Sequence, residues 1–226
     1  MASFFVTGTD TDAGKTYVST ALLQGLNQAG FSAIGAKPIA AGVDASGKNP
    51  DALALQQASL VLLDYAAINP ILLQAAVAPH LAAAIEQQPL DETVLSQQLS
   101  ALQQQAEWVL VEGAGGWLLP LSATRYLADW VIEQQLPVLL VVGMKLGCLN
   151  HAMLTVREIE RSGLRLLGWV ANGVDPTMQL LQENIADLQQ RIPAPCLGVL
   201  PYQPAGASSL LQQQLAGALL NVLKLK

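Results

Sequence analysis

Residues 8–16, GTDTDAGKT, follow an apolar run and lead into a helical pattern. Gly14 lets the backbone approach an oxyanion closely, Lys15 offers a charge to terminal phosphates, and Thr16 offers a hydroxyl to a magnesium ion; the following helix points its positive end at the same place. This is phosphate chemistry. The spacing is unusual, because five residues separate Gly8 from Gly14, one more than the usual phosphate loop, and two of them, Asp10 and Asp12, are acids.

Other groups of matching chemistry recur along the chain. WVLVEGAGG (108–116) puts Glu112 immediately after an apolar run, where a carboxylate holds magnesium directly or through water. NPDALAL (49–55) starts a helix with Asn49 placed to cap it and Pro50 in the first turn; Asp51 suits either the helix dipole or the same magnesium ion. GWVANG (168–173) ends with Asn172, which suits a base edge or plain turn chemistry. KPIAAG (37–42) and GMKLGCLNHA (143–152) each place a lysine after an apolar run. Lys37 is expected to face the phosphate loop, and Lys145, with Gly147 and a helix start near Asn150, makes a second anion site suited to a carboxylate. Cys148 has two readings, a reactive thiol at that helix start or a small packing residue. Before Thr124 the only cations are Lys15, Lys37 and Lys48, so two of the three fall just after apolar runs; Lys48 reads as a solvated loop residue.

These residues need elements to position them. Strand-like runs at 3–7, 32–37, 108–113, 137–143, 164–172 and 196–201 alternate with helical patterns at about 15–28, 50–59, 91–105, 126–135, 150–162, 177–190 and 208–223, with an irregular stretch around Pro70 and Pro79. Continuous apolar strands separated by helices predict an α/β fold, a mostly parallel sheet of about seven strands covered on both faces. Ligands bind such sheets at the carboxyl ends of the strands, so function is expected just after them.

The chain of 226 residues is 52% hydrophobic, enough for one core, and nothing marks an internal boundary, so residues 1–226 read as a single domain. A net charge of −6 with 12% charged residues argues against nucleic acid as a partner. The absence of a leader-like start or a membrane-length apolar run, and two isolated cysteines, point to a soluble cytoplasmic protein. The paired and tripled glutamines lie between core-spaced Leu and Ala and read as uncharged solvent faces.

Taken in order, GTDTDAGKT, AKPIAAG, NPDALAL, VEGAGGW, VVGMKLGCLNHAMLT, GWVANG and GVLPY resemble the dethiobiotin synthetases, ATP-dependent enzymes of the phosphate-loop NTPase type, from Phe5 to about Tyr202. The extra residue before Gly-Lys-Thr is a feature of that family. The resemblance implies closure of a cyclic urea from 7,8-diaminononanoate, carbon dioxide and ATP. It implies that Lys37, Lys15 and Thr11 act on the carbamate and the transferring phosphoryl group, and that Thr16, Asp51 and Glu112 hold magnesium. It assigns Asp12, Ala13, Gly14 and Tyr17, with Gly113, Ala114 and Gly115, to the nucleotide neighbourhood, and Asn172, Gly173, Pro201, Tyr202 and Gln203 to its adenine end. It further implies a homodimer in which Lys145, Leu146, Gly147, Cys148 and Asn150 of one subunit receive the substrate carboxylate held by the other.

Two positions depart from the family. Ala41 stands where a serine hydroxyl commonly meets the substrate, and Asp12 where a longer Glu is common. The nearest rival is a switch ATPase of the partitioning or septum-positioning type. Such proteins carry a second lysine in the phosphate loop, and residues 9–13 contain none; the tail NVLKLK is short for a membrane anchor. An amidotransferase-type synthetase would need a separate glutaminase, and a degenerate nucleotide-binding dimer would have lost a catalytic lysine or a metal acid.

Overall fold

The computed structural model describes residues 2–203 and 206–224; the last two residues of NVLKLK lie outside them. The chain starts in the middle of its own sheet. Strand β1 (Ala2–Gly8) pairs in parallel with β5 (Trp108–Gly116) on one side and β6 (Val138–Met144) on the other. Beyond β5 lies β2 (Ala33–Ala36), and beyond β6 lie β7 (Leu166–Gly173) and β8 (Cys196–Leu200), all parallel, in the order β2-β5-β1-β6-β7-β8. The chain leaves β1 through a 3-10 turn (Thr11–Ala13) and α1 (Lys15–Gln28).

β6 shows why the strands read as unbroken apolar runs. Leu139 and Val141 belong to the cluster that holds Leu22 and Leu26 of α1. Leu140, Val142 and Met144 join a second cluster with Ala152 and Val156 of α7 (Cys148–Arg161) and Leu188 of α8 (Leu181–Arg191). Alternate side chains point to opposite faces, and both faces are covered.

Among the described residues six strands, not about seven, form the sheet. Two further segments, β3 (Ile39–Ala41) and β4 (Ile71–Leu73), pair with each other in a separate parallel ribbon beside it. At three residues each they are too short to show a period. The irregular stretch also folds: after α2 (Pro50–Ala58) come α3 (Tyr65–Ile68), β4 and α4 (Pro79–Glu86), in which Pro79 occupies the first turn, where its missing N–H costs nothing. Helices α5 (Glu92–Gln103) and α6 (Leu127–Glu133) flank β5 in sequence, and α9 (Ser209–Lys224) packs against α1, β7 and β8. Among the described residues no helix is long and apolar enough to cross a membrane.

Candidate active site

The carboxyl ends of β1, β2 and β5 meet around one cleft of about 730 Å³. Thr11, Asp12, Gly14, Lys15 and Thr16 reach it from the phosphate loop, Lys37, Ala41 and Asp51 from the β2 side, and Ala114 and Gly115 from the end of β5. The extra residue is absorbed by the 3-10 turn, after which Gly14 adopts φ 83° and hands the chain to α1. A side chain at Gly14 is excluded twice over: the conformation is left-handed, and a Cβ would lie 2.1 Å from Asn172 Nδ2.

Lys15 is buried and folds back on its own loop, donating to the carbonyls of Asp10 at 3.1 Å and Thr11 at 3.2 Å. Burial, and then the neighbouring charge of Lys37, push its ammonium down to about 8. Lys37 is also buried, and its Nζ donates to Glu112 Oε1 at 2.7 Å, Asp51 Oδ2 at 3.0 Å and the Gly113 carbonyl at 3.2 Å. Burial opposes the charge on Lys37, but Glu112 and Asp51 outweigh it and hold the ammonium above its ordinary range. Burial likewise opposes ionisation of Asp51, yet Lys37 keeps that carboxyl below its ordinary range.

Thr16 Oγ1 donates to the same Glu112 Oε1 at 2.7 Å. Glu112 is wholly buried, and its other oxygen, Oε2, has no hydrogen-bond partner among the described residues. An orphaned buried carboxylate oxygen beside a threonine hydroxyl is a donor set that suits magnesium. Among the described residues no three His, Cys, Asp or Glu side chains cluster as metal ligands, so an ion on Thr16, Glu112 and Asp51 would complete its shell with phosphate or water oxygens.

Lys37 and Asp51 are held in place by a polar network that sequence reasoning missed. Asn49 caps α2, accepting the Ala52 N–H at 3.2 Å. The Tyr65 hydroxyl accepts the Asn49 N–H at 2.8 Å and donates to Asn69 Oδ1 at 2.9 Å, and Asn69 Nδ2 donates to the Lys37 carbonyl at 2.7 Å. The cap at Asn49 was legible; Tyr65 and Asn69 lie in the stretch that looked irregular. Lys48, which read as a solvated residue, stacks its ammonium 5.2 Å from the centre of the Tyr65 ring.

A second recess of about 200 Å³ is lined by Tyr17, Asn172, Gly173, Pro201, Tyr202 and Gln203. Asn172 is buried and donates to the Ala13 carbonyl at 2.9 Å, so it both braces the phosphate loop and leaves its amide oxygen for a ligand. Ala13 itself is buried behind the loop. The larger hollow carries cations and acids, the smaller aromatic and amide groups.

The residues after β6 stand apart. Lys145 pairs with Asp10 at 2.6 Å, Leu146 is 97% exposed, and Gly147 and Asn150 are exposed. None of them lines the cleft of its own chain. Helix α7 begins at Cys148, earlier than Asn150, because Gly147 turns the backbone with φ 95°. The reactive-thiol reading of Cys148 fails: its side chain is buried in the apolar cluster under α7, burial pushes the thiol up, and its N–H is taken by the Lys145 carbonyl at 3.0 Å. Any contribution of Cys148 to an anion site is therefore not made through sulfur.

A family model described as an AAA domain matches residues 2–208. The chain is 52% identical over 202 residues to an ATP-dependent dethiobiotin synthetase BioD 1 of Escherichia coli K12, covering 88% of this chain and 90% of that one. It is 50% identical over 216 residues to the ATP-dependent dethiobiotin synthetase BioD of Xanthomonas campestris, covering 94% and 96%. Among solved structures, the Pyrococcus furiosus cell division ATPase MinD superposes with a TM-score of 0.58 at 17% identity, covering 98% of this chain and all of that one, a likeness of fold.

Proposed function

The chain belongs to the family of ATP-dependent dethiobiotin synthetases, and from that premise we propose that it closes the cyclic urea of dethiobiotin from 7,8-diaminononanoate, carbon dioxide and ATP, releasing ADP and phosphate. The observation that carries the reading is the convergence of two buried lysines, Lys15 and Lys37, in one cleft with Thr16, Asp51 and Glu112. The two ammonium groups are close enough that Lys37 lowers the affinity of Lys15 for its proton. A single phosphate needs one such group. Two are wanted when two anions must meet.

The chemistry supplies those anions. One amine of the diamine adds to carbon dioxide and loses a proton, giving a carbamate. A carbamate oxygen then attacks the γ-phosphorus, the bond from that phosphorus to the β–γ bridging oxygen breaks, and ADP leaves with the electron pair. The second amine attacks the carbamoyl carbon, the carbon–oxygen bond to phosphate breaks, and loss of a proton from nitrogen leaves the urea ring. Lys37 neutralises the carbamate, Lys15 the transferring phosphoryl group, and Thr11 with the loop N–H groups orients them. This is catalysis by position and field.

Thr16, Asp51 and Glu112 would hold magnesium, which would supply charge neutralisation to the phosphates when bound. Lys37 is itself a counter-ion of Glu112 and Asp51, which fixes its ammonium in the cleft where the carbamate would be received.

Adenine occupies the recess of Tyr17, Asn172, Gly173 and Pro201–Gln203, with the triphosphate passing Gly14 over Ala13, Gly113, Ala114 and Gly115 toward Asp12. The diamine lies past Ala41, and its carboxylate reaches Lys145, Leu146, Gly147 and Asn150 of a second subunit, with Cys148 packed beneath that loop as its apolar anchor. The exposed Leu146 and the outward-facing loop before α7 support a homodimer. The whole chain acts as one synthetase domain in the cytoplasm. Purified protein given the diamine, bicarbonate, magnesium and ATP should yield dethiobiotin by mass. ATP hydrolysis that ignores the diamine and yields no dethiobiotin would replace this reading with a switch ATPase.

A further inference from the structure

Asp10 has no counterpart among the groups that bind phosphate, metal or base, yet three of its oxygens hold functional parts of the chain. Oδ1 accepts the Thr11 N–H at 2.7 Å and so starts the 3-10 turn. The carbonyl accepts Lys15 Nζ at 3.1 Å. Oδ2 receives Lys145 Nζ at 2.6 Å from 135 residues away.

The meeting follows from topology. β1 and β6 are neighbours, and their pairing continues past the strands: the Thr9 N–H donates to the Val141 carbonyl at 3.0 Å, and the Gly143 N–H to Thr9 Oγ1 at 3.3 Å. The phosphate loop and the loop before α7 thus leave the sheet side by side. Residues 9–13 hold no cation of their own, and the adjacent loop brings one to them. The turn itself does not ask for a charge, since asparagine caps as well as aspartate. What the charge acts on is Lys145, whose hydrogen bond holds the Asp10 carboxyl below its ordinary range.

We propose that Asp10 is a positioning residue: its negative charge orients the Lys145 ammonium for the substrate carboxylate and ties that anion site to the phosphate loop. An ammonium has three donors, so Lys145 serves Asp10 and a carboxylate together. This rests on the reading of Lys145 as part of the substrate's anion site.

Three variants test it, with the KM for the diamine read from dethiobiotin formation and the Kd for ADP from calorimetry. Asp10→Asn and Asp10→Ala should both raise the KM about twofold to fivefold, the range that a partly exposed ion pair supports. Only Asp10→Ala should also weaken ADP, because Asn retains the acceptor for the Thr11 N–H; that rescue separates the charge from the cap. Adding Asp10→Asn to Lys145→Gln should raise the KM no further. A normal KM in Asp10→Asn beside a raised one in Lys145→Gln would overturn the positioning role and leave the anion site standing. A normal KM in Lys145→Gln would remove Lys145 from the anion site, and the inference would fall with it.

Discussion

Raising the pH from 7 to 9 should weaken nucleotide binding about tenfold through Lys15 alone, a cost of about 1.4 kcal/mol. Lysine in water keeps its proton over that whole range. Lys15 does not, because burial and the charge of Lys37 hold its ammonium at about 8. Roughly nine in ten of these side chains are charged at pH 7 and roughly one in ten at pH 9. Phosphate in the loop favours the charged form, so binding must restore the missing proton, about 0.1 at pH 7, 0.5 at pH 8 and 0.9 at pH 9. About a fivefold loss should fall between pH 8 and 9, where phosphate groups with pKa values near 6 no longer titrate. The assay is calorimetric titration of ADP at pH 8 in two buffers of different ionisation enthalpy. A binding enthalpy independent of buffer would show that Lys15 takes up no proton when ADP binds. The same shift has a sign for folding: the folded protein binds Lys15's proton less tightly than the unfolded chain, so stability rises with pH between about 8 and 10.5 as the penalty, about 3 kcal/mol at neutral pH, is relieved.

Lys37→Gln should abolish dethiobiotin formation while ADP still binds, and, by leaving the buried Glu112 charge uncompensated, should lower stability in urea by about 3–5 kcal/mol; near-normal synthesis would take Lys37 out of the mechanism. Gly14→Ala should destabilise the loop by about 1–3 kcal/mol through its left-handed backbone and the clash with Asn172, read as a lower melting temperature and weaker ADP binding; a wild-type melt would show that the loop relaxes freely. Ala41→Ser adds a hydroxyl to the cleft wall and should lower the KM for the diamine by an amount equivalent to about 0.5–1.5 kcal/mol. An untouched KM would mean that the substrate does not pass Ala41.

The six strands of the sheet and the lysines and acids behind them were legible because the signals are local: an apolar run, then a polar residue whose type matches a task. Glu112 and Lys37 fall one residue past the fully apolar parts of their strands, and the sheet does the rest. What was hidden depends on pairing over distance. β3 and β4 are three residues each and stabilise one another across the chain of residues 42–70. Tyr65 and Asn69 look like loop chemistry until β2 is in place beneath them. Asp10 offered a complete local explanation as a turn residue, and its second bond, to Lys145, has no trace in the local pattern. The reading of the glutamines as solvent faces fails at Gln98, which is buried and donates to the carbonyls of Ala67 and Ile68, whereas the exposed Gln24 and Gln28 keep to the surface and bond Gln212 along the seam between α1 and α9.

That seam has a bearing on how the protein is made. Gly25 in α1 lies so close to α9 that a Cβ there would sit 2.1 Å from the Gln212 carbonyl, and Leu215, Ala216 and Leu219 of α9 are buried against the same core. Helix α1, which follows the phosphate loop, leaves the ribosome well before residues 209–224 and must wait for them to cover it. Until then its flank is open to water. The ATP site therefore cannot be finished piecemeal as the chain emerges, and a nascent chain stalled short of α9 should hold its β1–α1 unit in a form that quality-control proteases recognise.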